Sequence, residues 1–367
     1  MNFLQSAISF IKDLPVVVKI VWLIALLFAL LTITLIIYLT ILRLRLRKHN
    51  ASKLKYLKEY EVTLVNYLYA NEEGVVVSAA QKKIIRSLKL GLFWFYRRRL
   101  LIEVMIKLLG EISGEMTKSI SQLFIELGLL KQAKAKLKNK NWHIVAIGIR
   151  DLRKLKIEEV HEEVSKHINH PKLEVRRQAH LYFLNVFGYE GLSFMSELKS
   201  DISLWDQIGF LEILGKIDDQ TMPDVSEWLH SSNDFVVLFT LELVKFYNLV
   251  NTKEILLKLI YHQSSEIRFK TIEVLNHFYI SEAKKPLLAL YKKLSKKEQI
   301  AVFKMLENMA DEEDQSFILK HLNSEVFEIK IMAVRILKRI NVDEFQEFKT
   351  NTKNISNKEI IRFIETN

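Results

Sequence analysis

The stretch Asn169–Gly188, NHPKLEVRRQAHLYFLNVFG, joins a helix-start signal to an apolar stripe and an arginine pair. Val175, Ala179 and Phe183 recur every fourth residue, which places them on one face of an α-helix. Arg176 and Arg177 either receive an acidic partner or belong to one unit of a repeated scaffold.

The rest of 139–351 repeats the pattern. Positions equivalent to Val175 are Ile144, Trp205, Val236, Ile267, Glu298 and Ile329, spaced by 30 or 31 residues. Four residues on come Gly148, Ala179, Gly209, Thr240, Thr271, Val302 and Ala333, all small or β-branched. Eight on come Leu152, Phe183, Ile213, Val244, Leu275, Leu306 and Leu337, all apolar. Glu298 breaks the first column. After each opening helix comes a polar break and a second helical segment, such as NTKEILLKLIYH or SEAKKPLLALYKKL. Pro171, Pro223 and Pro286 fall at expected helix starts, where a missing N–H costs nothing. A two-helix unit this short cannot bury its own stripe, but stacked neighbours can. The expected fold is all-α: an α-solenoid of about seven two-helix repeats over 139–351, with 352–367 as a closing cap.

HPKLEVRRQA resembles the H-P-x-x-x-V-R-x-x-A opening of short HEAT-type repeats, the subgroup named after phycobilisome lyases. SSEIRFKTIEVL at 264–275 is a looser match. The resemblance implies architecture and leaves function open. In that family the arginine after the valine braces neighbouring repeats. Arg176 and Arg268 hold that position, while Val145, Asp206, Val237, Gln299 and Lys330 take it elsewhere. Arg176 and Arg177 are thus expected to be structural first and partner-binding candidates second.

Upstream, Val21–Leu42 holds 22 residues without a charge. A hydrocarbon core ~30 Å thick needs about 20 helical residues, so an N-terminal transmembrane helix is expected within 15–42. A cleaved signal peptide would be shorter and would carry its positive charges before the apolar run. Here Lys12 and Lys19 precede the run, whereas Arg43, Arg45, Arg47, Lys48, Lys53, Lys55 and Lys58 follow it. That asymmetry places the C-terminal side in the cytoplasm of an inner or plasma membrane, with a short amphipathic leader (1–14) outside. Arg43, Arg45, Arg47 and Lys48 are candidates for anionic lipid headgroups.

Residues 43–138 read as a basic juxtamembrane and helical capping region. Within it GLFWFYRRRLLIEVM (Gly91–Met105) is expected to be a buried helix with Arg97, Arg98 and Arg99 on the wet side. The competing reading puts its aromatics at headgroup depth and those arginines on lipid phosphates.

The net charge of +11 is unevenly placed. Residues 1–138 hold 22 Lys/Arg against 9 Asp/Glu, and 139–367 hold 32 against 34. A slightly acidic array argues against a nucleic-acid surface. The chain has no cysteine, no phosphate-binding loop and no serine elbow. Glu163, His167 and His170 could share a helix face but lack a fourth ligand, and the nearby His161 does not complete a zinc-protease helix. No catalytic, cofactor or metal site is therefore expected.

The reading that results is a membrane-anchored cytoplasmic scaffold or adaptor that mediates protein–protein interaction. It would serve an as yet unidentified partner as an accessory subunit of a membrane complex, for example in polysaccharide synthesis, transport or signalling. Phe194, Trp228, Tyr261 and Tyr291, on the second helices, are the candidate anchors, although Trp228 and Tyr291, each taken alone, are expected to pack between repeats. The alternatives are an enzyme of the bilin-lyase type, which the resemblance brings along, and a nucleic-acid-binding HEAT protein.

Overall fold

The computed structural model describes residues 15–70, 78–112, 114–217, 220–352 and 354–366, and the expected leader at 1–14 lies outside them. All regular structure among the described residues is helical. The chain divides into two compact units, Met1–Gln132 and Ala133–Asn367.

The first unit is organised by one helix of 54 residues, Val16–Tyr69. No glycine or proline interrupts this range, so the basic run at 43–48 continues the helix of the apolar run before it. By length and composition the helix can cross a membrane: its most apolar window has a mean hydropathy of 3.0 and is not buried in the protein. The hydroxyls of Thr32, Thr34 and Thr40 donate to carbonyls one turn back, as an apolar surrounding requires. The second half of the helix buries Tyr60, Leu64, Tyr67 and Leu68. Against it lies a hairpin of two helices, Ala79–Gly91 and Phe95–Leu109. A capping box formed by Ser78 and Gln81 opens that hairpin. Gln81 also donates to the Tyr67 carbonyl at 3.1 Å, which ties the hairpin to the long helix.

The expectation of one buried helix across Gly91–Met105 is corrected here. Helix ends at Gly91 and resumes at Phe95. Leu92, Leu100, Leu101, Val104 and Met105 are buried, while Phe93, Trp94 and Phe95 are exposed. A turn cannot aim five consecutive apolar side chains at one core, and only Leu92 of the run Leu92–Tyr96 is buried.

In the second unit, long helices begin at Trp142, Leu173, Leu204, Asp234, Ser265, Lys296 and Phe327. Shorter helical segments follow them, among them His161–Ser165, Lys253–Leu259 and Lys284–Leu290. The segment Glu190–Glu197 is 3-10 rather than α-helical. Successive long helices pack on one another, except that Leu204–Leu214 meets Asp234–Phe246 mainly through the Phe210 and Phe239 rings, and Phe327–Ile340 is covered by Ile355–Thr366 through Ile360, Ile361 and Ile364. Pro171 and Pro223 lie in the turns before Leu173 and Ser226, and Pro286 sits in the first turn of Lys284–Leu290.

Register in the third layer differs by one residue from the expected alignment. Counted from the helix starts, the residue equivalent to Val175 is Asp206, not Trp205. Asp206, Phe210 and Leu214 are buried, whereas Trp205 is 76% exposed. With that shift every member of the three columns is buried except Ile144, which is half-buried. Apolarity favoured tryptophan for the inner position, but the fold places an aspartate there.

The long helices also stop in a common way. In three of them Lys156, Asn248 and Tyr279 adopt left-handed backbone, and the next residue donates back five positions: Ile157 to Leu152, Leu249 to Val244, Ile280 to Leu275. A non-glycine residue pays about 1 kcal/mol for that conformation. Tyr279→Gly should therefore raise the stability of the detergent-purified protein by about 1 kcal/mol in thermal unfolding, since the exposed ring gives up little packing.

Candidate docking surface of the repeat array

The arginines of the opening stretch are engaged inside the protein. Arg176 donates to the carbonyls of His170 and Pro171 at 3.0 and 3.3 Å, and pairs with Asp201 at 3.1 Å. Arg268, its counterpart, binds the carbonyls of His262 and Gln263 in the same manner at 2.7 and 2.8 Å. Both arginines fasten a helix to the turn that precedes it. Arg177 reaches the next layer and meets Asp206 at 2.5 Å.

Glu298, the residue that interrupts the apolar column, is fully buried. It completes a capping box with Ser295, accepts from Ser265 at 2.8 Å and pairs with Arg268 at 2.7 Å. Burial pushes its carboxyl up, but the hydrogen bonds from Ser295, Arg268 and Ser265 outweigh this and hold it below the ordinary glutamate value. The second segments carry a parallel set of links. Lys253 pairs with Glu282 at 2.5 Å, and Lys284 pairs with Asp311 and with Asp314 at 2.9 Å. The acidic run at 311–314 is thus a helix cap joined to the preceding layer.

Of the candidate anchors on the second segments, three are inside the protein: for Phe194 this corrects the expectation of a partner contact, and for Trp228 and Tyr291 it agrees with packing between repeats. Phe194 stacks on His180 with ring centroids 4.7 Å apart. The indole N–H of Trp228 donates to Ser196 at 3.0 Å. Tyr291 sits in a cluster with Phe303, Phe317 and His321. Large rings at layer junctions fill space that aliphatic chains would leave open. Tyr261 is exposed. Glu163 pairs with Lys134 at 2.7 Å, and among the described residues no three metal-ligating side chains are grouped.

An apolar surface lies elsewhere, on the long helices. Trp142, Leu173 and Leu204 are first residues of their helices, Trp205 and Phe235 second residues, and all five are exposed. Their helices are successive, and the Arg177–Asp206 pair and the Phe210–Phe239 contact at 5.7 Å join neighbouring layers. The five residues therefore recur along one rim, at the N-terminal ends of the long helices. In the next two layers Ser265 and Lys296 occupy the rim, and the Arg268–Glu298 network replaces it. Sequence reasoning overlooked this row because it sought exposed anchors on second helices and assigned Trp205 to the core. The available signal was a large apolar residue one or two places before the inner position in each of the first four layers.

Three long helices, Asp234–Phe246, Ser265–His277 and Lys296–Met309, border a cleft of about 590 Å³. Lys245, Glu273, His277, Lys297 and Lys304 are among its lining residues, and the Lys297 ammonium lies 4.0 Å from the centre of the Phe269 ring.

No protein-family model matches the chain, and no curated protein matches its sequence. Among solved structures it is similar to an engineered protein from a structural genomics consortium, at 15% identity over 84% of this chain and 88% of that one, with a TM-score of 0.32. It is also similar to a chain from a study of tubulin recruitment by microtubule polymerases with tumor overexpressed gene domain arrays (11% identity, 84% and 90% covered, TM-score 0.27). A third is human deoxyhypusine hydroxylase in complex with glycerol (12% identity, 81% and 99% covered, TM-score 0.28). At such TM-scores none of these likenesses says what this chain binds.

Two outcomes test the internal electrostatics. Glu298→Gln leaves Arg268 half-buried without its counter-charge and should cost about 3 kcal/mol in denaturant unfolding, while Arg268→Met with Glu298→Leu recovers most of it. His180 is buried, its Nε2–H donates to the Ile168 carbonyl (2.9 Å), and burial lowers its pKa from 6.5 to about 4. The unfolded chain binds this proton below pH 6.5 and the folded chain does not. Stability is therefore whole above pH 6.5 and declines by at most about 3 kcal/mol as pH falls towards 4. Thermal midpoints measured across that range should fall less in His180→Phe than in the native chain.

Proposed function

We propose that this protein is a single-pass membrane scaffold whose helical-repeat array, of seven two-helix units, docks a partner protein along the apolar rim of its first four long helices. The observation that carries the reading is that rim. Trp142, Leu173, Leu204, Trp205 and Phe235 are large, exposed and regularly spaced on a layered surface, and such rows mark interaction sites. The partner fitting it is an extended or helical segment with apolar side chains at matching intervals. Tryptophans at 142 and 205 supply the kind of anchor that dominates binding energy. In this reading the chain binds and holds, and no reaction is assigned to it.

The membrane part rests on the apolar half of Val16–Tyr69 and on the seven basic residues after it against two before. Those charges favour a cytoplasmic array. Accessory service to a membrane complex follows from an anchor and a docking surface on one chain.

A photo-crosslinking residue at position 205 of the full-length protein, expressed in intact cells, tests the proposal. It should capture one protein in near-stoichiometric yield, and the same residue at Lys292, on the second segment of the fifth unit, should not. Leu204→Glu with Phe235→Glu should lower the yield at least about tenfold with the unfolding transition unmoved, as expected of exposed anchors. Equal capture from 205 and 292, or capture indifferent to the glutamates, refutes the rim as a docking surface.

A further inference from the structure

The turn between Ala79–Gly91 and Phe95–Leu109 exposes four large apolar side chains within six residues: Leu90, Phe93, Trp94 and Phe95, with Phe93 at 92% exposure. The core of the unit has no use for them. Their position along the long helix is fixed by contacts on both sides of the turn. The hairpin enters beside the end of the long helix, where Ser78 donates to the Ala70 carbonyl at 2.6 Å and Gln81 to that of Tyr67. It climbs to Gly91 beside Tyr60, and its second helix starts with the Tyr96 ring 5.1 Å from that of His49. Arg97 donates to the Tyr56 hydroxyl at 2.7 Å, and lower down Lys107 pairs with Glu61 at 3.0 Å. The turn is therefore the end of the hairpin nearest the apolar run.

His49 lies seven residues past Leu42. At 1.5 Å per residue that is about 10 Å along the axis, close to the headgroup layer about 5–7 Å deep that flanks the hydrocarbon. Charge follows the same axis. Residues 43–58 and 78–102 carry seven basic residues each and no acid, whereas Glu59, Glu61, Glu103 and Glu111 begin where the two helices lead away from the apolar run. Arg98 lies over the Phe95 ring at 5.8 Å, and Arg99 is exposed. Aromatic side chains flanked by arginines, in a hairpin turn whose residues 78–102 hold no acid, suit a surface that is apolar below and anionic above.

We infer that the Leu90–Phe95 turn is a second membrane contact, which seats its aromatics among the headgroups of the bilayer that the long helix crosses, with Arg98 and Arg99 on lipid phosphates. The inference rests on the proposed span and adds a foot to it. Two points of contact fix the tilt and rotation of the long helix, which a single span leaves free.

The absence of native cysteine makes the test clean. Full-length Phe93→Cys, Ile36→Cys and Tyr69→Cys proteins are each labelled with an environment-sensitive fluorophore and placed in nanodiscs of phosphatidylcholine and phosphatidylglycerol. Quenching is read with lipids spin-labelled at the headgroup or in the acyl chain. Position 36 should be quenched by chain labels, and position 93 by headgroup labels at least about fivefold more than position 69, some 40 Å beyond Leu42. Quenching at 36 with none at 93 overturns the second contact and leaves the anchor standing. A blue-shifted but unquenched label at 93 assigns the turn to a protein neighbour and also overturns it. No quenching at 36 removes the span, and with it this inference.

Discussion

A long helix of the second unit carries an apolar stripe that the short segment following it cannot cover, so each layer depends on the next. That mutual covering is what the array rests on. Ala179, Thr240, Thr271 and Ala333 are small enough for neighbouring helices to approach, and the larger residues four positions on fill the space beneath them. Where the column admits a carboxylate, at Asp206 and Glu298, an arginine from the preceding layer supplies the counter-charge. A buried acid that is capped, paired and hydrogen-bonded ties two layers in one register, which an apolar contact does less strictly. Ile355–Thr366 covers the apolar stripe of Phe327–Ile340 through Ile360, Ile361 and Ile364.

Such an interior leaves the outer ends of the helices free to vary. The first two positions of each long helix take no part in the columns, and four successive layers place tryptophan, leucine or phenylalanine there. The next two layers place serine and lysine at the same points and turn the rim into an ion-pair network. Surface character thus changes along the array while its packing does not. A segment laid along the rim would meet apolar anchors over the first four layers, polar groups over the next two, and the exposed Phe327 at the start of the last long helix.

The first unit obeys a different constraint. Its long helix has no internal break, so whatever holds the apolar half also orients the half that packs against the hairpin. Basic residues gather near the apolar run and acids away from it, on the long helix and on the hairpin alike. Two chain segments distant in sequence therefore share one charge gradient, as a common field from an anionic surface would favour.

Much of the architecture was legible beforehand because the period of the apolar columns is a one-dimensional property. Ile267, Thr271 and Leu275, or Ile329, Ala333 and Leu337, announce a buried face without knowledge of any neighbour. The uncharged run at 21–42 announces a helix able to span in the same way. What depended on tertiary contacts was the fate of single residues whose chemistry allows two answers. Trp205 looked like core and is exposed, because the neighbouring Asp206 is capped by Ser203 and paired with Arg177. Glu298 looked like a fault in the repeat and is one of its ties, since Arg268 lies 30 residues away in sequence and 2.7 Å away in space. Phe194 looked like an anchor and is core, while Phe93–Phe95 looked like core and are surface. Periodicity alone determined which face of each helix is buried. Charge pairing and the sharpness of a turn, which exist only between segments brought together, decided which residues the surface presents.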